Sequence, residues 1–180
     1  DVYYYNIALR LDYEKLYKYA KILDLDDKTD VDLPYEIQGH IPTSTWKRSR
    51  TGIPWFLGDT VNASIGQGFL LTTPIAVANM MVTLINYGEV YKPHIVESVI
   101  DGENEINLHN SDVIDKLDIS KPTIDFVLKA MYETVNNGTG RRAFVEGFEV
   151  CGKTGTAENP HGEDHAWFVG FAPYKPSMIF

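Results

Sequence analysis

The chain has 180 residues, of which 44% are hydrophobic, and this suits one globular domain with a sizeable core. Its formal net charge is −9 and no basic stripe is visible, which disfavours nucleic-acid binding. No apolar run approaches the about 18 residues that a membrane-spanning helix needs.

The first two predicted elements are helices. Their apolar faces repeat at helical spacing and consist of Tyr4, Ile7, Ala8 and Leu11 in the first helix and Leu16, Tyr19, Ala20 and Leu23 in the second. Asp12 stands where it can cap the second helix. Residues 33–60 carry three prolines and three glycines, and we expect an ordered loop there because Trp46, Trp55 and Phe56 need burial.

A third helix is predicted to run to Ile85, with Thr73 as its cap and Pro74 in its first turn. This segment is apolar nearly all round, which predicts a helix in the core. The sequence Asn-Tyr-Gly at residues 86–88 is expected to end it.

Further along the chain, residues 94–100 alternate like a strand, and Asp101-Gly102 predicts a turn. Another helix is predicted to open at Ser120 and Pro122 and to end at Asn137-Gly138. Its inward residues are expected to be Ile124, Val127, Leu128 and Met131.

Two apolar runs, residues 148–152 and 166–171, predict a strand pair near the C-terminus. Helices first and strands last indicate an α+β domain, with an antiparallel sheet and helices packed on it. Cys151 is the only cysteine, so no internal disulfide can form. It lies in an apolar strand with no histidine nearby in sequence, and we expect a small buried residue, not a nucleophile.

Residues 153–156 read Lys-Thr-Gly-Thr, directly after the first apolar run. A strand of this kind can pair with a peptide substrate, and its glycine lets the substrate approach closely. The lysine supplies a fixed positive charge, and threonine hydroxyls can hold a carboxylate. The motif alone consists of common residues and recurs by chance, so its interpretation depends on the rest of the chain.

Four segments together resemble the transpeptidase domain of class B penicillin-binding proteins, and most closely the elongation-type branch represented by penicillin-binding protein 2. They are residues 1–8 (DVYYYNIA), residues 58–74 with Gly-Asp, Ile-Gly-Gln-Gly and Thr-Pro, residues 152–158 (GKTGTAE) and residues 165–173 (HAWFVGFAP). The resemblance runs from Asp1 to Phe180 and implies the penicillin-binding transpeptidase and serine β-lactamase-like fold.

On this resemblance, residues 1–180 are expected to be the C-terminal portion of a transpeptidase domain, incomplete at both ends. Asp1 aligns with the third residue of the family's second motif, and the family's last strand and C-terminal helix would follow Phe180. The family's nucleophile comes from a Ser-x-x-Lys motif upstream of the second motif. The one such spacing here, Ser44-Thr45-Trp46-Lys47, lies after the second motif, and we interpret it as coincidence.

The resemblance also implies a function. The family's enzymes are peptidoglycan D,D-transpeptidases, which cross-link stem peptides ending in D-alanyl-D-alanine through an acyl-serine intermediate and bind β-lactam antibiotics. A chain without the nucleophile motif is expected to be inactive by itself. The family implies a place in the bacterial inner membrane, with the catalytic domain on the periplasmic or extracellular side and proteins of the cell-elongation machinery as partners. No nucleic acid and no cofactor are expected.

Site residues follow from the same resemblance. Lys153 would supply positive potential, while the hydroxyls of Thr154 and Thr156 would hold the substrate carboxylate beside Gly155. The backbone N–H of Thr156 would form half of the oxyanion hole. Asp1 would help to position the serine of the second motif.

Several alternatives remain open at this point. A class D-like serine β-lactamase or β-lactam sensor shares a Lys-Thr-Gly strand, and a non-catalytic homologue that acts as a binding module would need no nucleophile. A short span offers four potential metal ligands, His161, Glu163, Asp164 and His165, but they lie on no predicted helix, and we predict no metal. Gly66-Gln67-Gly68 lacks the flanking residues of a phosphate loop and predicts a tight turn.

Overall fold

The computed structural model describes residues 1–108 and 113–174. These fall into two compact units. The first unit comprises Asp1–Thr29 and Tyr35–Val77, and the second comprises Asp30–Pro34 together with the described residues from Ala78 onward. No helix within the described ranges is long and apolar enough to cross a membrane.

Along the described residues, five α-helices come first, four strands follow, and a sixth α-helix precedes the last two strands. The helices are α1 (Val2–Leu11), α2 (Tyr13–Ile22), α3 (Ser44–Thr51), α4 (Leu57–Ala63), α5 (Pro74–Ile85) and α6 (Lys121–Asn136). The strands are β1 (Glu89–Tyr91), β2 (Ser98–Asp101), β3 (Asn104–Asn107), β4 (Val113–Lys116), β5 (Cys151–Ala157) and β6 (His165–Phe171). The predicted α+β class is confirmed, but the described strands form three separate pairs, β1–β4, β2–β3 and β5–β6, in place of one sheet.

In the first unit, α1 and α2 form where helical spacing predicts them. Ala8 and Tyr13 are buried, whereas Tyr4 and Tyr19 of the predicted inward faces are 57% and 60% exposed. Asp12 separates the helices with a left-handed backbone, φ 72°, and its side chain makes no capping hydrogen bond. Asp12 thus occupies the N-cap position of α2, but the predicted capping by its side chain is wrong.

The segment 33–60 is more regular than the predicted loop, because it contains α3 and the first four residues of α4. The hydroxyl of Thr43 accepts a hydrogen bond from the N–H of Trp46 at 3.1 Å and starts α3. Gly52 ends it in the left-handed conformation, φ 73°. Phe56, predicted to be buried, is 56% exposed, and its ring lies 5.0 Å from the ammonium of Lys47.

A buried ion pair joins α3 to α4. The ammonium of Lys47 lies 2.5 Å from the carboxylate of Asp59, and the lysine is only 6% exposed. The same carboxylate accepts a hydrogen bond from the N–H of Phe56 at 2.7 Å, which starts α4. The lysine of the Ser44-x-x-Lys47 spacing is therefore engaged with Asp59, which supports the interpretation of that spacing as coincidence.

Helix α5 begins and ends as predicted. Thr73 caps it by accepting a hydrogen bond from the N–H of Ala76 at 3.2 Å. At its end, Gly88 turns back with φ 92° and donates to the carbonyl of Thr83 at 2.8 Å. The helix is not buried all round, however, since Val82 is 36% exposed.

In the second unit, β2 and β3 form a hairpin. A turn was predicted at Asp101-Gly102, and Gly102 does lie in the turn, φ 65°, whereas Asp101 is the last residue of β2. The strand begins at Ser98, not at His94, because the N–H groups of Ile95 and Val96 donate to the carboxylate of Asp32, at 2.7 and 2.9 Å. The short pair β1–β4 was not predicted from the sequence.

Helix α6 contributes four buried residues to this unit. Its buried residues are Ile124, Leu128, Met131 and Val135. Val127, predicted to face inward, is 36% exposed because it lies at the edge of this stripe, and Val135 one turn beyond Met131 takes its place. Ser120 accepts a hydrogen bond from the N–H of Thr123 at 3.4 Å at the predicted start.

We predict that Lys47→Met lowers the free energy of unfolding by about 3–5 kcal/mol, because it leaves the carboxylate of Asp59 buried without its partner. Urea unfolding of the full-length protein, followed by tryptophan fluorescence, measures this loss. The matched control is Lys121→Met, which removes an exposed lysine from its ion pair with Asp125 and should shift the midpoint far less. Equal midpoints for the two variants would contradict the structural role of the buried pair.

Candidate active site

Strand β5 brings Lys153, Thr154, Gly155 and Thr156 together on one extended segment. Side chains alternate along a strand, so Lys153 and Gly155 project to one face and Thr154 and Thr156 to the other. Among the described residues, β5 pairs with a strand on one side only, where β6 runs antiparallel to it. The other edge of β5 is the one to which a peptide could add.

The beginning of β5 is anchored in the core of the second unit. Cys151 is fully buried and clusters with Met81 of α5 and Met131 of α6. Burial, with a smaller contribution from Glu149, raises the pKa of Cys151 to about 11, so its thiol stays protonated at neutral pH. The prediction of a small buried cysteine is confirmed. The predicted strand began earlier, but Phe148 is 66% exposed and lies outside β5.

Two glycines face each other where β5 leaves the core, and the sequence analysis did not single them out. Gly152 pairs with Gly170 across the strands, and the ring of Phe168 lies over both. A Cβ on Gly152 would stand 2.2 Å from Phe168 Cζ, and one on Gly170 would stand 2.5 Å from the carbonyl oxygen of Cys151. Only glycine fits at both positions, so this pair fixes the register of the motif strand against β6.

Gly155 lies in an open part of the strand. A Cβ built on it would meet only Trp167 Cβ, at 3.4 Å, which is an ordinary contact. Nothing in the described protein therefore requires glycine here. The approach of a substrate at this point stays a prediction.

Lys153 and Thr154 directly follow the buried residues Cys151 and Gly152 of β5. The ammonium of Lys153 donates a hydrogen bond to the backbone carbonyl of Thr154 at 2.5 Å, and the lysine is exposed. The hydroxyl of Thr154 lies 2.8 Å from that of Thr139, a residue that the sequence analysis missed. Thr156 is exposed two residues further along. A positive charge and hydroxyls on one strand are the groups that bind a carboxylate.

Asp1 is described in the first unit, while the motif strand belongs to the second. It directly precedes α1, and its carbonyl accepts a hydrogen bond from the N–H of Tyr5 at 3.0 Å. Its side chain is exposed and does not cap the helix. A role for Asp1 beside a serine of the second motif stays a prediction.

The structure also describes the two segments that were considered as a metal site and as a phosphate loop. The loop between β5 and β6 is held by Asn159, which accepts from the N–H of His161 at 3.0 Å and donates to Asp164 at 3.3 Å. No cluster of three potential metal ligands occurs in the described part of the chain. Gly66 and Gly68 have φ 78° and 79°, so they form the predicted tight turn before α5.

Comparison with known proteins identifies the family of the chain. Residues 1–180 match the family described as the penicillin binding protein transpeptidase domain. Peptidoglycan D,D-transpeptidase MrdA of Haemophilus influenzae is 33% identical over 201 residues, which cover 99% of this chain and 30% of that protein. Stage V sporulation protein D of Bacillus subtilis is 34% identical and covers 97% of this chain and 27% of that protein.

Solved structures show the same similarity. PBP2 of Pseudomonas aeruginosa, in complex with WCK 5153, superposes with a TM-score of 0.78 and 32% identity, covering 96% of this chain and 39% of that one. PBP2 of Helicobacter pylori, in complex with MreC, gives a TM-score of 0.77 and 32% identity over 97% of this chain and 32% of that one. The chain thus spans about a third of the length of these relatives. It belongs to the penicillin-binding protein transpeptidase domain family.

Proposed function

We propose that this chain is the C-terminal portion of the transpeptidase domain of a peptidoglycan D,D-transpeptidase. The observation that carries the proposal is strand β5, which presents Lys153, Thr154, Gly155 and Thr156 on one exposed segment anchored at a buried residue. Membership of the family and similarity to proteins named peptidoglycan D,D-transpeptidase support it. The substrate would be a stem peptide ending in D-alanyl-D-alanine, and β-lactams would acylate the same serine.

The proposed reaction is acyl transfer through a serine that this chain does not itself supply. The serine oxygen attacks the carbonyl carbon of the penultimate D-alanine, the bond to the terminal D-alanine breaks, and the leaving amine takes up a proton. An amine of a neighbouring stem peptide then displaces the serine, regenerates its hydroxyl and leaves a cross-link. The chain's own contribution is to bind the substrate along β5 and to stabilise the charge on its carbonyl oxygen.

Each residue of the motif has a proposed part in this reaction. Lys153 provides positive potential for the substrate carboxylate and for the serine of the second motif. Thr154 and Thr156 donate hydroxyl hydrogen bonds to the carboxylate, and the N–H of Thr156 is one donor to the developing oxyanion. Asp1 is proposed to hold the second-motif serine in place.

The setting of the whole protein is also part of the proposal. The Helicobacter pylori relative was solved in a complex with MreC, and we infer partners of the same kind, from the cell-elongation machinery, for the protein that carries this chain. We place that protein at the bacterial inner membrane, with the catalytic domain on the periplasmic or extracellular side. The described residues of this chain contain no membrane-spanning helix.

We predict that Lys153→Ala in the full-length protein slows acylation by a fluorescent penicillin about a hundredfold or more, as expected for loss of one electrostatic catalytic group. The fold should persist, because the side chain is exposed and its removal opens no cavity. The labelling rate is measured at several penicillin concentrations under pseudo-first-order conditions.

Lys116→Ala is the matched control, since Lys116 is an exposed strand lysine of the same unit, paired with Glu89 at 3.1 Å. It should label at the wild-type rate. Wild-type labelling of Lys153→Ala would exclude the role proposed for the motif.

The lifetime of the acyl-enzyme decides between a transpeptidase and a serine β-lactamase, because a β-lactamase hydrolyses the adduct in well under a minute and a transpeptidase holds it far longer.

A second prediction concerns residues 1–180 as a separate polypeptide. It should form no covalent adduct with fluorescent penicillin, because its one Ser-x-x-Lys spacing places Lys47 in a buried pair with Asp59 and leaves Ser44 without a base. Gel fluorescence after denaturation detects any adduct. A labelled band that disappears in Ser44→Ala would reassign the nucleophile to α3.

A further inference from the structure

Thr139 lies in the loop that follows α6, and its side chain contacts the motif strand. Its hydroxyl oxygen lies 2.8 Å from that of Thr154, and either oxygen can be the donor. The two residues are 15 apart in sequence, so the contact exists only because α6 packs against β5. Thr139 itself is exposed and lies outside the Lys-Thr-Gly-Thr segment.

The loop holds Thr139 in place by two close backbone approaches. A Cβ on Gly138 would stand 2.9 Å from the carbonyl oxygen of Thr134, and one on Gly140 would stand 3.2 Å from the same atom. The N–H of Gly140 also donates to that carbonyl at 2.9 Å. Thr139 is therefore fixed between two glycines that wrap around the last turn of α6, and its direction toward β5 is set by the backbone.

The proton count of the two hydroxyls decides which one donates. Each hydroxyl has one hydrogen and can accept hydrogen bonds as well. If Thr154 gives its hydrogen to a carboxylate, it has none left for Thr139, and the 2.8 Å contact must then be a hydrogen bond donated by Thr139. A hydroxyl that accepts such a bond is polarised and becomes a better donor.

We propose that Thr139 is a positioning residue that orients and polarises the hydroxyl of Thr154 toward the substrate carboxylate. The inference rests on the proposed function, because it takes the carboxylate of a D-alanyl-D-alanine peptide or a β-lactam as the ligand of Thr154. Thr139 does not touch the substrate. Its effect is larger on ligands that carry the free carboxylate than on ligands whose carboxyl group is esterified, and this difference separates positioning from a general role in stability.

The test compares two thioester substrates of the full-length protein, an acyl-D-alanyl thioglycolate with a free carboxylate and its methyl ester. Thr139→Val keeps the shape of the side chain and removes the hydroxyl. It should lower kcat/KM for the acid about three- to tenfold, the effect of one hydrogen bond. The loss on the ester should be smaller, because an uncharged ester carbonyl is a weaker acceptor than a carboxylate. Thr139→Ser should restore the acid to near the wild-type value.

The matched control is Thr134→Val, which removes a hydroxyl of α6 that donates to the carbonyl of Ala130 at 2.9 Å. It should change neither substrate. Thr154→Val and the double variant Thr139→Val/Thr154→Val should have equal kcat/KM for the acid, because Thr139 acts only through Thr154. Additive losses, or equal losses on acid and ester, would overturn the inference. A wild-type protein that is inactive on both thioesters and not labelled by penicillin would overturn the proposed function, and this inference with it.

Discussion

The packing of Cys151 between Met81 and Met131 is the contact on which the site depends. It ties the first residue of β5 to α5 and α6, and its complete burial leaves no space for a larger side chain. Beyond Cys151 the strand leaves the core, so the position of Cys151 determines how deeply each following residue is buried. Lys153 is exposed only two residues later, which places the functional groups close to rigid structure without burying their charge.

A second constraint fixes the register of β5 against β6. Gly152 and Gly170 pair across the strands, and the ring of Phe168 packs over both. A Cβ atom at either position would clash with this ring or with the backbone. The register from Cys151↔Phe171 to Ala157↔His165 follows from it. With its start anchored and its register fixed, β5 can present hydroxyls and backbone N–H groups in a defined geometry, as binding of a carboxylate and stabilisation of an oxyanion require.

The sequence predicted those elements whose signals are local. Helices α5 and α6 both have clear caps and formed at the predicted ends; α5 is apolar nearly all round in sequence, and α6 has a periodic apolar face. Strands β1 and β4 have only three and four residues, and β4 is exposed throughout, so neither shows a pattern. In segment 33–60, the prolines and glycines favour a loop and gave no sign of the short helices α3 and α4. These helices are joined by the ion pair Lys47–Asp59, a contact that the local sequence does not show. Thr139 could not be found from sequence, because its contact with Thr154 arises from packing.

In the proposed function, β5 receives the carboxylate of the substrate. A crystal structure of the full-length protein acylated by benzylpenicillin tests this binding mode. We expect the antibiotic carboxylate within hydrogen-bonding distance, about 2.5–3.0 Å, of the hydroxyls of Thr154 and Thr156, with the ester carbonyl oxygen facing the N–H of Thr156. An acylated serine whose antibiotic carboxylate lies away from β5 and contacts neither threonine would contradict it.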